Sequence, residues 1–239
     1  RSHDLLLVED ACHAPGATYK NQPVGSIADL SIFSFHPVKH LTTGEGGMVT
    51  TNDSGLAERL RRLRSHGIDA GWRSRANSGT WEYDMVELGF NYRLSDLNCA
   101  LGRSQLKKQP RWIERRRELV AGYDRGFNGL EGLLLPYCPE DRQGAWHLYP
   151  IRFDGDGAAT VREQAFKRLR SRDIGVNVHY RPVYLNSYYR ELGYQRGICP
   201  NAERAYSGLL SLPLWHGLSD VDHQTVIDDF IAETTDLLS

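Results

Sequence analysis

The stretch VEDACHAPGATYKNQPVGSIADLSIFSFHPVKHLTTGEGGMVTTND, residues 8–53, decides how the chain is read. It overlaps a short apolar run, LLLVEDA (Leu5 to Ala11), that closes on two acids, as a strand buried in a parallel sheet does. DLSIFSFH alternates and is rich in aromatics, and GGMVTTND is a third short strand closed by polar turn residues. Asn52, Asp53 and Ser54 then offer helix caps, Leu56, Leu60 and Leu63 repeat at i, i+4 and i+7, and Gly67 supplies a stop. Strand and helix signals in this alternation predict an α/β fold.

One lysine stands out within the stretch. Of 29 basic side chains only Lys20, Lys39, Lys107, Lys108 and Lys167 are lysines, and Lys39 directly follows the mostly apolar run LSIFSFHPV. A lysine attacks carbonyl compounds only as the free amine, which burial or neighbouring cations favour. Pyridoxal phosphate enzymes use such a lysine, together with an acid that keeps the pyridine nitrogen protonated. Asp10, at the carboxyl end of the first strand, is the candidate acid, since ligands of open α/β sheets gather beyond the carboxyl ends of strands. Phosphate needs hydroxyl or backbone N–H donors, and Ser34 lies close to Lys39 on the same strand. Singly, each residue has a plainer reading. Asp10 could be a turn former, His13 a polar residue near a turn, Ser34 a product of alternation, Lys39 a solvated cation and TTGEGG an ordinary loop. The combination points to a site.

Composition narrows the alternatives. The 239 residues suffice for one large domain or two small ones, with 40% hydrophobic and 25% charged residues and a formal net charge of −1. No run of Lys or Arg exceeds three residues, so there is no concentrated basic surface for nucleic acid, and RWIERRREL reads as the solvated face of a helix. Cys12, Cys99, Cys138 and Cys199 are far apart and lack C-x-x-C spacing, which argues for reduced thiols and against a metal site. No apolar stretch is long enough to span a bilayer, so the expectation is a soluble, cytoplasmic protein without a membrane partner.

Beyond Gly67, residues 67–94 lack periodicity and are dense in Gly, Ser, Asn and aromatics, as a functional or partner-packed connection would be. Ser95 caps a helix that Pro110 should interrupt, and a second helix runs through Ile113, Val120 and Tyr123. HLYPIRFD and VNVHYRP read as strands flanking a helix around Val161 to Arg170. Ser219 and Asp222 resemble a capping box before Ile227, Phe230 and Ile231. Residues 1–108 are thus expected to be part of a large α/β domain, and 109–239 a smaller α+β domain. Because parallel strands need crossover-linked neighbours and few strand candidates are present, a further N-terminal part of the natural protein is expected to precede Arg1.

The E-D-A-x-H and S-F-x-P-x-K-x-L-T-T-G-E-G-G blocks within residues 8–53 resemble the DegT/DnrJ/EryC1/StrS family of sugar aminotransferases. WEYDMVELGFNYRLSDLNCALGRSQL, WHLYPI and VHYRPVYLNSYYRELGY are similar to the branch of that family acting in pseudaminic acid biosynthesis. The resemblance implies a fold-type I pyridoxal phosphate transferase of the aspartate aminotransferase type, with a partial large domain and an α+β C-terminal domain. It implies amino transfer, with glutamate as donor, to C4 of a UDP-linked 4-keto-6-deoxy sugar. A GDP- or dTDP-linked sugar, or a catalytically incomplete chain with a binding or regulatory role, are the alternatives. Lys39 matches the lysine that carries the cofactor as a Schiff base and shuttles the substrate proton. Asp10 matches the carboxylate on the pyridine nitrogen, His13 a position beside the ring, and Ser34 a phosphate-contacting hydroxyl. Asn91 matches an asparagine that reaches the phosphate of the neighbouring subunit's cofactor, which implies a homodimer with shared sites. His179 and Tyr180 match a segment near the sugar nucleotide, while Trp146 and His147 read as structural.

Overall fold

The computed structural model describes residues 3–69 and 71–238, which fall into two compact units. The first comprises Arg1–Arg111 with Glu140–Ala145, and the second Trp112–Pro139 with Trp146–Ser239. In chain order the elements are β1 (Val8–Asp10), β2 (Thr18–Tyr19), β3 (Gln22–Pro23), β4 (Leu30–Ser34), β5 (Gly47–Thr50), α1 (Ser54–Leu63), α2 (Trp72–Ser78), α3 (Asp96–Leu106) and α4 (Gln109–Phe127). They continue with β6 (Leu133–Leu134), β7 (Arg142–Gln143), β8 (Tyr149–Phe153), α5 (Ala158–Ser171), a 3-10 turn (Val183–Leu185), α6 (Ser187–Glu191), α7 (Pro200–Gly208), β9 (Leu209–Leu212) and α8 (Asp220–Leu238).

In the first unit β1 pairs with β4 in parallel, Asp10 opposite Ile32, and β4 pairs with β5 antiparallel, Phe33 opposite Met48. The parallel pairing expected of the first strand is found between β1 and β4, while β5 runs against β4. The chain returns directly through residues 35–46, and a direct return of that kind pairs antiparallel. A small second sheet orders β3-β2-β7. The helix limits follow the caps. Asp53 accepts the Leu56 N–H at 2.8 Å to open α1, and Ser95 accepts the Asn98 N–H at 3.3 Å to open α3. The break before α4 falls at Lys107–Lys108, and Pro110 sits in the first turn of α4, where its missing N–H has no intrahelical role.

The run LLLV was expected to be buried, yet Leu5, Leu6, Leu7 and Val8 are 56–76% exposed. β1 is an edge strand with β4 as its one partner among the described residues, so nothing described here covers those side chains.

The second unit has the larger core. Tyr123 and Phe127 of α4, Tyr149, Ile151 and Phe153 of β8, Leu169 of α5 and Phe230 of α8 are buried together. β6, β8 and β9 form one antiparallel sheet, and α5 packs on α8. Ser219 accepts the Asp222 N–H at 3.0 Å and donates to its carboxylate at 2.7 Å, capping α8. VNVHYRP does not form a strand. It touches β9 through one bridge, Asn177 to Ser211, because Ser211 alone exchanges backbone bonds with it. The Arg-rich helix face is not wholly solvated either. Arg116 is buried and its Nη1 donates to the carbonyls of Trp146, His147 and Leu214 at 3.0, 3.3 and 3.0 Å. Burial pushes its guanidinium down to about 10. Among the described residues no helix is long and apolar enough to cross a membrane.

Candidate active site

Parallel pairing brings the carboxyl ends of β1 and β4 to one edge of the sheet. Side chains alternate between faces, so Asp10, Ile32 and Ser34 share one face, and Glu9 and Ser31 the other. The Ser31 hydroxyl donates to Glu9 Oε2 at 2.7 Å, which ties the first acid of the pair into the frame and leaves Asp10 at the open edge.

Asp10 is held as an anion. The Cys12 thiol bonds to its carboxylate, the Cys12 N–H donates to Oδ1 at 3.1 Å, and His13 and Lys39 add electrostatic attraction. Together these hold the carboxyl below its usual range against a smaller opposing effect of burial. The Cys12 thiol is pushed up in turn, first by burial and then by Asp10. Sequence reasoning had treated Cys12 as an ordinary thiol. The signal it missed is the i, i+2 spacing, by which a residue after a strand-end Asp folds back onto the carboxylate.

Lys39 sits in the loop that leaves β4. Its N–H donates to the His36 carbonyl at 2.9 Å, and its side chain is half-buried between the exposed His36-Pro37-Val38 turn and the buried His40 and Leu41. The neck of the loop is tied. The Phe35 carbonyl accepts the Thr43 N–H at 3.1 Å and the Thr42 hydroxyl at 2.9 Å, and the Phe35 N–H donates to Gly46 O at 2.9 Å. His40 Nε2 lies 3.1 Å from the Ala145 carbonyl, anchoring the loop from within. Gly46 has φ 149°, and a Cβ there would lie 2.5 Å from Thr43 Oγ1 and 2.7 Å from Leu94 Cδ1, so the turn needs glycine. The Ser34 hydroxyl accepts the His36 N–H at 3.4 Å, which leaves its own proton available to an anion.

The fold thus gathers Asp10, Cys12, His13, Ser34 and Lys39 at one sheet edge. Asn91 lies in the same unit, exposed, in an isolated bridge with Ser65. His179 and Tyr180 belong to the second unit, where His179 Nδ1 lies 2.9 Å from the Ser211 hydroxyl and burial lowers the imidazole's pKa. A cavity of about 430 Å³ in the first unit opens on the other face of the sheet, against Phe33, Phe35 and Met48, and none of the candidate residues lines it. Among the described residues no three His, Cys, Asp or Glu side chains gather as a metal site would require.

Residues 1–231 match the DegT/DnrJ/EryC1/StrS aminotransferase family. The chain belongs to that family. Its fold is that of the fold-type I pyridoxal phosphate enzymes. Over 228 residues it is 40% identical to the UDP-4-amino-4,6-dideoxy-N-acetyl-β-L-altrosamine transaminase of Campylobacter jejuni, covering 95% of this chain and 58% of that protein. Helicobacter pylori PseC, an aminotransferase of pseudaminic acid biosynthesis, superposes with a TM-score of 0.88 at 33% identity, over 98% of this chain and 61% of that one. Spr1654 of Streptococcus pneumoniae, in its PMP form, gives 0.89 at 33% identity over 98% and 60%, and has also been solved in a PLP form. The chain spans about three fifths of the length of these relatives.

The donor set at the sheet edge fits the cofactor of this family. Pyridoxal phosphate presents a ring nitrogen, an aldehyde and a phosphate, and the edge offers a carboxylate held ionised, a primary amine and a hydroxyl with a proton to give.

Proposed function

We propose that the chain is part of a cytoplasmic sugar-nucleotide aminotransferase that takes an amino group from glutamate and delivers it to C4 of a UDP-linked 4-keto-6-deoxy sugar. The observation that carries this reading is the shared edge and face of Asp10 and Ser34, with Lys39 close enough to Asp10 to lower its pKa. The cofactor, when bound, supplies an electron sink for the bonds broken at the substrate carbon.

The protein's own groups supply binding, orientation and proton transfer. Asp10, kept ionised by Cys12, would pair with the ring nitrogen and keep it protonated, with His13 beside the ring. Ser34 donates to the phosphate. The Lys39 amine would hold the cofactor covalently. Lys39 Nζ, when not so attached, would serve as base and then acid toward the substrate proton. Asn91 reaches the phosphate of the second subunit's cofactor in a homodimer. The exposed side chains of Trp81, Tyr83, Leu88, Phe90 and Tyr92 support such a contact, with Phe90 and Tyr92 stacked at 4.8 Å. His179 and Tyr180 would take part in recognising the sugar nucleotide.

The test begins with the protein at its full natural length. Incubation with pyridoxal phosphate should give a visible absorption band, and borohydride should fix the cofactor on the peptide that carries Lys39. An unmodified Lys39 overturns the assignment. Comparing turnover of UDP-, GDP- and dTDP-linked keto-sugars then tests the substrate, with UDP expected to lead.

A further inference from the structure

The lysine loop is gripped by one face of α3. Asn98, Gly102 and Gln105 lie at i, i+4 and i+7, a single stripe along the helix, and all three are half-buried where their neighbours on other faces are exposed. Each meets the segment three to five residues after Lys39. Gln105 Oε1 accepts the Thr42 N–H at 2.8 Å, and Asn98 Nδ2 donates to the Thr43 carbonyl. At Gly102 a Cβ would come within 2.7 Å of Thr43 Cγ2, and Thr43 cannot swing aside, since it is 2% exposed and its hydroxyl donates to Glu45 O at 2.6 Å. Asn98 is itself oriented. The Ser95 hydroxyl bonds to its Oδ1, which turns the amide so that Nδ2 faces Thr43.

On the other side of Lys39 the bonds are local, from the Lys39 N–H to the His36 carbonyl at 2.9 Å and from the His36 N–H to the Ser34 hydroxyl at 3.4 Å. His36, Pro37 and Val38 are exposed. The ties that reach beyond the loop lie on the C-terminal side of Lys39, in the buried His40 anchor and these three residues of α3.

We propose that Asn98, Gly102 and Gln105 are positioning residues that hold the Thr42–Gly44 turn and so aim the Lys39 amine. The inference rests on the role of Lys39 argued above. A lysine displaced by a fraction of an ångström meets both the cofactor aldehyde and the substrate proton at the wrong distance.

The experiment compares Gln105→Met, which fills the space but cannot accept the Thr42 N–H, with Gln105→Glu, which can. The readouts are the pH midpoint of the visible band of the borohydride-reducible, lysine-linked cofactor and the kcat and KM of transamination. Thermal stability is followed alongside. Gln105→Met is expected to move the midpoint by about half a unit or more, because the amine's surroundings change. It should lower kcat roughly ten- to a hundredfold with little change in KM, and Gln105→Glu should recover most of the rate. Gly102→Ala, which forces helix and turn apart, should act in the same direction. If Gln105→Met lowers only the melting temperature and leaves midpoint and kcat unchanged, α3 is mere scaffold and the proposal fails. It fails equally if Gln105→Glu behaves as Gln105→Met does. Lys39→Ala separates the two levels, because a visible, borohydride-stable attachment surviving in that variant sinks the role of Lys39 itself, whatever Gln105 does.

Discussion

The two units of the chain are built to different standards of burial. In the second, Tyr123, Tyr149, Ile151, Phe153 and Phe230 are no more than 1% exposed and meet in one core. In the first, which carries the lysine and the strand-end aspartate, the sheet leaves Leu6, Val8, Ile32 and Met48 open to solvent among the described residues. A unit with a full core is held by apolar area. In the first unit the chemically important atoms are tied by local polar devices, such as the Glu9–Ser31 bond, the tied neck at Phe35 and the grip of α3. Reactive groups held in this way are expected to respond to single hydrogen bonds, whereas the second unit's core responds to changes of volume.

The largest effect expected is chemical and confined to the first unit. Lys39→Ala should reduce amino transfer by several orders of magnitude and leave hydrogen exchange in β8, β9 and α8 unchanged, which steady-state kinetics and exchange mass spectrometry would establish. Next comes a structural loss confined to the second unit. Phe230→Ala removes a ring stacked 6.2 Å from Phe153 and tilted 4.7 Å from Phe127, and should cost about 3–5 kcal/mol in denaturant unfolding. If exchange accelerated to the same extent in β1 and β4, the contrast between the units would collapse.

A smaller effect is pH-dependent. His223 is buried against Tyr123, and burial lowers its pKa, with Arg115 and Arg125 acting in the same sense and the Leu119 carbonyl and Asp220 opposing. The folded state thus favours the neutral ring. Its contribution is fully present above the ordinary histidine pKa of about 6.5 and is lost as pH falls below that value toward the depressed folded pKa. Unfolding at pH 7.5 and 5.5 should show the second unit weakening in acid, and His223→Gln should flatten that dependence. The smallest effect is expected at Val221, 76% exposed in the first turn of α8, where Val221→Ser should change stability by less than about 0.5 kcal/mol. A larger loss there would mean that the second unit depends on its surface as well as its core.

Much of the fold was legible because it is written locally. The caps at Asp53, Ser95 and Ser219 and the buried stripe of Ile113, Val120 and Tyr123 each depend on residues a turn or two apart. Strand direction was not legible, since period-two alternation is the same for a parallel and an antiparallel neighbour, and β5 runs against β4. Nor could VNVHYRP be told from a strand, because its pattern says nothing of whether β9 offers a second pairing. At the candidate site, the types and order of Asp10, Ser34 and Lys39 could be read from the chain. The Cys12 bond to Asp10 and the stripe on α3 could not, as each depends on which partner the folded backbone brings near. Asn98, Gly102 and Gln105 have helical spacing in the sequence, but nothing there points to Thr42 and Thr43.

The tied neck at Phe35 bears on how often the lysine must work. In the proposed cycle the amine would have to be presented anew at every turnover, and a mobile loop would reorder its backbone each time at about 1–2 kcal/mol per residue. With Thr42 and Thr43 stapled to the Phe35 carbonyl, the backbone of the loop is already ordered before the lysine moves. Only the four-carbon arm has rotamers to lose, about 2 kcal/mol at most. The loop is thus a fixed mount, on which only the Lys39 side chain would need to move.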